Sequence, residues 1–265
     1  MSGAALNGIG QNGYPASGGG GSGPSEAWRI GNLAVRDNTV GLWLLSGDLS
    51  DSSGNGNDFA VNAAGTAPSD PWNDGWGTVW RYFDGNYSLD AGSPADFDIL
   101  GDVTLSFTQW SFMEIAAAGV EYLFGKVNAI SGAAVDNTNY LVYLDRAVSP
   151  ARWRWFTESG VSVDDNTTIP QPGPNYYLGQ VVHYAFRRTT SSKLIEQFVQ
   201  GRKASQANYN TDPTSGADSK LYFGGEATQA YVTGRCYRNV RLDAEAVSDA
   251  DLLEDADQVM DGRFS

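Results

Sequence analysis

Residues 41–58, GLWLLSGDLSDSSGNGND, combine the signature of a buried strand with an abrupt polar turn. Leu42, Trp43, Leu44 and Leu45 are bulky and apolar, as in a strand inside a sheet protein. The residues that follow are rich in Asp, Ser, Asn and Gly, which favour tight turns and tolerate left-handed backbone angles. The segment therefore predicts a core strand that ends in a polar surface loop.

A period of two residues recurs along the chain. Val103, Leu105 and Phe107 alternate with small polar residues, as expected when one face of a strand is buried. Comparable runs are separated by clusters of Gly, Pro, Asn and Asp. These runs cover residues 140–144, 152–156 and 181–186. The pattern is typical of a protein built from many short strands.

Only the C-terminal end of the chain has apolar residues at the spacing of a helix. Ser248 and Asp251 stand three residues apart, as in a capping box at the start of a helix. The residues expected on its apolar face are Leu252, Leu253, Ala256 and Met260. One short C-terminal helix packed against a β-sandwich is therefore predicted.

Residues 51–58 carry the pattern D-x-S-G-N-G-N-x, which resembles a loop of the laminin G-like, concanavalin A-like lectin/glucanase family of jelly-roll sandwiches. Seven further segments resemble motifs of that family and follow in the same order. They are residues 82–89, 101–107, 123–126, 179–185, 198–205, 221–225 and 240–252. One position departs from the pattern, since Val181 replaces the usual Trp. The resemblance covers residues 35–258.

The resemblance implies an all-β fold, a concanavalin A-like (LamG-like) jelly-roll β-sandwich with a short C-terminal helix. We assign the sandwich to residues 26–265 and a Gly-rich N-terminal arm to residues 1–25, because the ordered motifs run through most of the 265 residues. The 32 glycines and 12% aromatic residues suit many turns around an aromatic core.

The charge balance argues against nucleic acid as a partner. The net charge is −14 and no basic stripe is visible, whereas a phosphate backbone requires one. Many of the acidic residues are concentrated near the C-terminus, where we expect a solvated helix face. They are Asp243, Glu245, Asp249, Asp251, Glu254, Asp255 and Asp257.

Residues 1–25 contain nine glycines and no charged side chain. They lack the basic start and the apolar segment of a secretory signal, and no run in the chain is long enough to cross a bilayer. The lectin-like fold is usually associated with functions at exposed surfaces. We therefore expect a virion protein of a bacteriophage-like particle. Such a protein is made in the cytoplasm, released by lysis and located at the particle surface.

A Gly/Ser-rich arm is flexible in isolation and becomes ordered against a partner. Leu6, Ile9 and Tyr14 are its candidate apolar anchors, and we expect residues 1–25 to bind other virion proteins. The alternative is a plain linker. A homo-oligomer is compatible with a projecting particle protein, but no heptad or interface stripe specifies a stoichiometry.

Catalytic residues are not evident. Glucanases of this fold use a strand motif E-x-D-x-x-E, and this triplet is missing from the sequence. Glu114 and Glu121 lie seven residues apart, and Asp96 and Asp98 have no third partner. We therefore predict that the chain is not an enzyme.

The chain has one histidine, His183, and one cysteine, Cys236. His183 is expected to be a hydrogen-bonded sheet residue and Cys236 a core residue. One His and one Cys do not assemble the usual zinc site within one chain.

Calcium is the one cofactor that the oxygen-bearing side chains of the loop at residues 51–58 do not exclude. Asp51, Asn55, Asn57 and Asp58 offer hard oxygen ligands, and some members of the fold superfamily bind calcium near such loops. The same side chains also form hydrogen-bonded turns without metal. No cofactor is predicted apart from this calcium alternative.

The best candidate for ligand binding is the segment PWNDGWGTVW, residues 71–80, which we expect to contain a loop. Trp72 and Trp76 can stack on sugar rings while Asn73 and Asp74 bind hydroxyls. Loop tryptophans also serve as protein-interface anchors or as lids. Trp80 enters the next strand and is expected in the core. Trp153 and Trp155 share one strand face and are also expected in the core.

Two functional hypotheses follow. The first is a non-enzymatic virion structural or decoration protein that displays a lectin-like sandwich and adheres to surface glycans. The alternative is a free or tethered carbohydrate-binding module that is not part of a virion.

Overall fold

The computed structural model describes residues 31–63, 72–73, 79–85, 87–111, 120–127, 140–145, 152–156, 166–168, 180–210, 212–213, 220–225 and 233–261. Within them the chain forms two antiparallel sheets and one α-helix, α1, Asp249–Asp261. The all-β sandwich predicted from the sequence, with its short C-terminal helix, is confirmed. The arm, residues 1–25, lies outside the described residues.

The first sheet has eight strands among the described residues. They are β1 Thr39–Trp43, β3 Trp72–Asn73, β4 Val79–Asp84, β6 Val103–Ser111, β11 Val181–Thr189, β12 Leu194–Val199, β13 Arg202–Asn208 and β15 Thr233–Asp243. Their order is β13-β12-β11-β6-β15-β4-β3, and β1 pairs with the second half of β15.

The second sheet has seven described strands in the order β10-β9-β8-β7-β14-β5-β2. They are β2 Ala60–Ala63, β5 Tyr87–Asp90, β7 Val120–Val127, β8 Tyr140–Asp145, β9 Arg152–Phe156, β10 Asn166–Thr168 and β14 Lys220–Phe223. A 3₁₀ turn at Ala95–Phe97 precedes β6.

The two sheets enclose an aromatic core. Phe107 of the first sheet packs edge-on against Trp153 and Phe223 of the second sheet, with ring centroids 5.9 and 6.5 Å apart. Edge-to-face contacts of this kind add to the free energy gained by removing the rings from water. Trp153 and Trp155 are buried in this core, as predicted.

Helix α1 covers part of the first sheet's outer face, the face opposite the aromatic core. Ser248 caps it, because its hydroxyl accepts a hydrogen bond from the Asp251 amide at 3.2 Å. Leu252 packs with Ala185 and Phe198 in a small apolar cluster. Leu253 is 38% exposed and was wrongly assigned to the apolar face. The buried stripe instead continues three, four and seven positions after Leu252, at Asp255, Ala256 and Val259.

The acidic C-terminal region is not uniformly solvated. Asp243 and Asp255 are 0% and 1% exposed, which corrects the expectation for these two residues. Both accept hydrogen bonds from the buried Arg241 guanidinium, at 2.7 and 3.0 Å. Because charged groups under a helix need charged partners, this network ties α1 to β15.

In the part of the chain that the structure describes, no helix is long and apolar enough to span a bilayer.

Candidate functional site

Part of the segment predicted to bind sugar, residues 71–80, lies at the edge of the first sheet. Trp72 and Asn73 form the two-residue strand β3, opposite Trp80 and Val79 of β4. Their placement in a loop was wrong, because backbone pairing with β4 extends the sheet by one short strand. Asp74 and Trp76 lie outside the described residues, and sugar contact by these four residues stays a prediction.

Trp80 is 1% exposed, which confirms its expected place in a core. This core is a second apolar cluster, separate from the one between the sheets. Its buried members are Leu33, Leu42, Trp80, Cys236 and Val259. Cys236 alternates with Tyr237, which faces the aromatic core, so the second cluster lies on the outer face of the first sheet.

A row of side chains crosses four strands at the rim of this second cluster. The register places Val181 opposite Trp110, Trp110 opposite Cys236, and Cys236 opposite Tyr82. Cys236 is buried, whereas Val181, Trp110 and Tyr82 are half-buried and pack against the cluster. We call these four residues the aromatic row.

A buried ring lies against one of the half-buried rings of the aromatic row. The rings of Trp110 and Trp80 have centroids 5.9 Å apart at 56°, so the buried indole supports the half-buried one. Tyr82 lies two residues from Trp80 on β4, which pairs with β3. Half-buried aromatic rings can stack on the apolar face of a sugar.

The sequence analysis did not single out the row. Trp110 continues the alternation of Thr104, Ser106 and Thr108, so its position on the non-core face was visible in the sequence. Its juxtaposition with Tyr82 was not visible, because it depends on β15 pairing with both β6 and β4.

Gln200 supports the β11 end of the row. Its side-chain oxygen accepts a hydrogen bond from the His183 amide at 3.1 Å, and its side-chain nitrogen donates to the Val181 carbonyl at 3.3 Å. Met260 of α1 lies 3.9 Å from the same nitrogen through its sulfur. The β11 end of the row is therefore held by a turn residue that also contacts the last turn of α1.

His183 is a buried sheet residue, as predicted. Its Nδ1 lies 3.4 Å from the Thr108 hydroxyl, and 1% of its surface is exposed. Burial lowers the pKa of His183 to about 4, with Asp255 opposing this shift and Arg241 adding to it. The imidazole is therefore neutral near neutral pH and closed to solvent.

Two of the carboxylates considered for catalysis, Glu121 and Asp98, have structural partners, and Asp96 is exposed. Glu121 of β7 pairs with Arg235 of β15 between the sheets, and the two side chains are 2% and 1% exposed. Asp98 lies 3.5 Å from the buried Lys126 ammonium. Glu114 lies outside the described residues.

The Asp51 loop is closed by its own hydrogen bonds. One carboxylate oxygen of Asp51 accepts from the amides of Leu42 and Ser53, both at 2.9 Å, and the other accepts from the Asn57 amide at 3.1 Å. Asp58 accepts from the Asp51 amide at 2.8 Å. These contacts favour the hydrogen-bonded turn over a calcium site.

Asn55 and Asn57 also donate their amide groups to the Val40 carbonyl, at 3.1 and 2.9 Å. Among the described residues, no three His, Cys, Asp or Glu side chains are grouped so that they could hold a metal ion. Calcium binding at this loop stays an untested alternative.

No protein-family model matches the chain, and no curated protein sequence matches it. Solved structures do match. Domain 4 of the extracellular arabinanase AbnA from Geobacillus stearothermophilus, solved with arabinotriose, has a TM-score of 0.55 at 16% identity. The match covers 82% of this chain and 99% of that domain.

Two longer proteins match over part of their length. The sialidase of Trypanosoma rangeli gives a TM-score of 0.55 at 14% identity, covering 89% of this chain and 37% of the sialidase. The binding domain of botulinum neurotoxin serotype D gives 0.59 at 9% identity, covering 84% of this chain and 52% of that one. At these identities the similarity establishes the β-sandwich fold.

Proposed function

We propose that this chain is a non-catalytic β-sandwich that binds glycans through the aromatic row and is attached to a larger assembly by its N-terminal arm. The observation that carries the proposal is that Trp110 and Tyr82 are half-buried on the outer face of the first sheet, and that β4, the strand of Tyr82, pairs with β3. The ligand is an oligosaccharide with at least one sugar ring that has an apolar face.

Stacking on this row yields a useful but moderate affinity. If a sugar ring removes about 60 Å² of apolar surface of Trp110 from water, the gain is about 1.5 kcal/mol. That corresponds to roughly a tenfold change in affinity. A module with one such platform binds weakly, and display of several copies on an assembly raises its avidity.

Two of the similar structures support a sugar ligand by what they contain. The arabinanase domain was solved with arabinotriose, and the trypanosomal sialidase with a sialic acid derivative. A neurotoxin binding domain was solved with a protein, synaptotagmin II. A glycan is favoured here because two aromatic side chains of the row, Trp110 and Tyr82, are half-buried rather than fully buried.

The assembly we propose is a bacteriophage-like virion, with the sandwich as a structural or decoration protein at the particle surface. This part rests on the uncharged, glycine-rich composition of residues 1–25, which we expect to contact other virion proteins. A comparison of the full-length chain with a chain that starts at Glu26, by light scattering and co-sedimentation with particles, tests it. Equal behaviour of both chains favours the alternative, a free or tethered carbohydrate-binding module.

Glycan binding is tested on an array, followed by titration calorimetry with the strongest ligand. We expect Trp110→Ala to lower affinity about tenfold, because the stacking surface is lost. Tyr122→Ala is the matched control, since Tyr122 is a half-buried aromatic residue on the second sheet. Unchanged binding in Trp110→Ala contradicts the proposed site, and turnover of any polysaccharide contradicts the non-catalytic assignment.

A further inference from the structure

His183 lies beneath helix α1, on the outer face of the first sheet. Val181 and Ala185 stand two residues to either side of it on β11, so their side chains point to the same face. Ala185 packs with Leu252 of α1. Val181 packs against the apolar cluster to which Val259 of α1 belongs. The imidazole is therefore placed between two points at which α1 contacts the sheet.

The polar surroundings of His183 suit a neutral ring. Its Nδ1 lies 3.4 Å from the Thr108 hydroxyl, and within the described part of the chain its buried Nε2 has no hydrogen-bond partner. The Thr108 hydroxyl lies 3.5 Å from the side-chain nitrogen of Asn239. That nitrogen also donates to the Gly31 carbonyl at 2.8 Å, and the Asn239 oxygen accepts from the Leu33 amide at 3.3 Å. The ring is thus connected through two side chains to residues 31–33.

The charged groups that act on the imidazole come from α1 and β15. Asp255 favours a proton on the ring, whereas Arg241 opposes it. Asp255 is already bound by two guanidinium groups, since it accepts from Arg241 at 3.0 Å and from Arg36 at 2.9 Å. Farther along this face, Arg187 of β11 and Glu196 of β12 bind each other at 2.8 Å. The side chains of β6 on this face near α1 are uncharged; they are Thr104, Ser106 and Thr108. A proton on the ring therefore adds a positive charge for which no unshared carboxylate is at hand among these groups.

Helix α1 can leave the first sheet without breaking a strand, because it contributes no strand to either sheet. Its backbone is bound from outside the helix at the Val259 carbonyl, which accepts from the Gly31 amide at 2.9 Å. It is also bound at the Asp251 carbonyl, which accepts from the Arg36 side chain at 3.0 Å. Local opening of a peripheral element of this kind costs less free energy than global unfolding.

We propose that protonation of His183 releases α1 from the first sheet, so that mild acid opens the outer face of the sandwich while the two sheets stay paired. In the released state the imidazole is solvated and the helix no longer covers it. Residues 31–33 lose their bond to α1 at the same time, because Gly31 binds Val259. The release does not depend on glycan binding.

The pH range of the release follows from the pKa of His183 in the two states. Burial holds the pKa at about 4 when α1 is in place, and the ordinary value is 6.5 when the ring is solvated. The released state binds the proton more readily, so its population is lowest above pH 6.5 and rises as the pH falls toward 4. Between pH 7 and pH 5 the ratio of released to closed molecules is expected to rise about 20-fold. Carboxylic acids ordinarily titrate near pH 4, so a rise in this range points to the histidine.

Cys236 is a probe of the release. It is the only cysteine of the chain, it is fully buried, and it shares its apolar cluster with Val259 of α1. The test is the rate at which 2,2′-dithiodipyridine, a disulfide that reacts with thiols in acid, labels Cys236 in the full-length protein. Each rate is divided by that of the urea-unfolded protein at the same pH. From pH 7 to pH 5 we expect this ratio to rise about 20-fold in the wild type and less than about twofold in His183→Gln.

A ratio that is unchanged between pH 7 and pH 5 overturns the release, as does an equal rise in His183→Gln. Small additions of urea separate release from global unfolding. Labelling through release has a weak dependence on urea because little surface becomes exposed, whereas labelling through global unfolding has the full dependence and overturns the proposal. If His183→Gln does not fold, the pH profile and the urea dependence of the wild type decide the question.

Amide hydrogen exchange at pH 7 and pH 5, corrected for the intrinsic rates, gives a second measure. We expect the amides of α1 to lose protection at pH 5 while those of β8, Tyr140–Asp145, stay protected. Equal loss of protection in α1 and β8 overturns the release. A failure to bind any glycan contradicts the proposed function and leaves these outcomes unchanged.

Discussion

His183 is predicted to make the protein less stable in mild acid. Its pKa falls from 6.5 to about 4 on folding because it is buried, so the folded state binds a proton less readily than the unfolded chain. The stability contributed by the neutral imidazole is complete above pH 6.5 and is lost as the pH falls toward 4. At pH 5 the loss is about 2 kcal/mol, and below pH 4 it levels off at roughly 3 kcal/mol.

The assay is urea denaturation at pH 7 and pH 5, for the wild type and for His183→Gln. Glutamine keeps a polar group near the Thr108 hydroxyl but does not titrate. Its loss of stability between the two pH values is expected to be about 2 kcal/mol smaller than that of the wild type. Equal losses in both proteins would refute the reasoning and assign the acid sensitivity to other groups.

Three further substitutions test the packing. Glu121→Leu leaves the buried Arg235 without its carboxylate and is expected to lower the free energy of unfolding in urea by about 3–5 kcal/mol. The double variant Glu121→Leu/Arg235→Met is expected to lose less. Equal losses in the two variants contradict this account of the pair. Gly201→Ala places a β-carbon 2.4 Å from the Leu253 Cα at a φ of +69° and is expected to cost about 3 kcal/mol, so a neutral result contradicts the helix position. Asp51→Ala removes the acceptor of three backbone amides and is expected to lower the free energy of unfolding by about 3 kcal/mol. Neither calcium nor a chelator is expected to change the melting temperature of the wild type. Stabilisation by calcium would restore the metal alternative for this loop.

Local sequence pattern predicted the elements well. The alternation at Val103, Leu105 and Phe107 marks β6, and the Ser248 cap marks the start of α1. Trp80 was also assigned correctly to a core, since an indole that enters a strand is usually buried. These features depend on neighbours a few residues away, which is the range over which periodicity and capping act.

Contacts between residues far apart in the chain could not be predicted from the sequence. Arg36 forms an ion pair with Asp255, 219 residues away in the chain, and Arg241 joins the same carboxylate. Nothing in the acidic run distinguished Asp255 from its solvated neighbours, because its burial depends on where α1 lies on the sheet. The same holds for Trp110 and Tyr82, which become neighbours of Cys236 through strand order.

The segment predicted to bind sugar was only partly understood from the sequence. Trp72 and Asn73 were assigned to a loop, whereas they form a short strand at the edge of the first sheet. A strand of two residues has no periodicity to detect, and its identity follows from pairing with β4. The aromatic row extends from β4, the strand with which Trp72 and Asn73 pair.

The measurement that tests the central claim most directly is a footprint of the ligand itself. The protein is oxidised by hydroxyl radicals with and without a glycan selected on the array, and modification is quantified residue by residue. We predict that the glycan protects Trp110 and Tyr82 and leaves Tyr122 unchanged. Protection of Tyr122 without protection of Trp110, or no protection at saturating glycan, would contradict the assignment of the aromatic row as the binding surface.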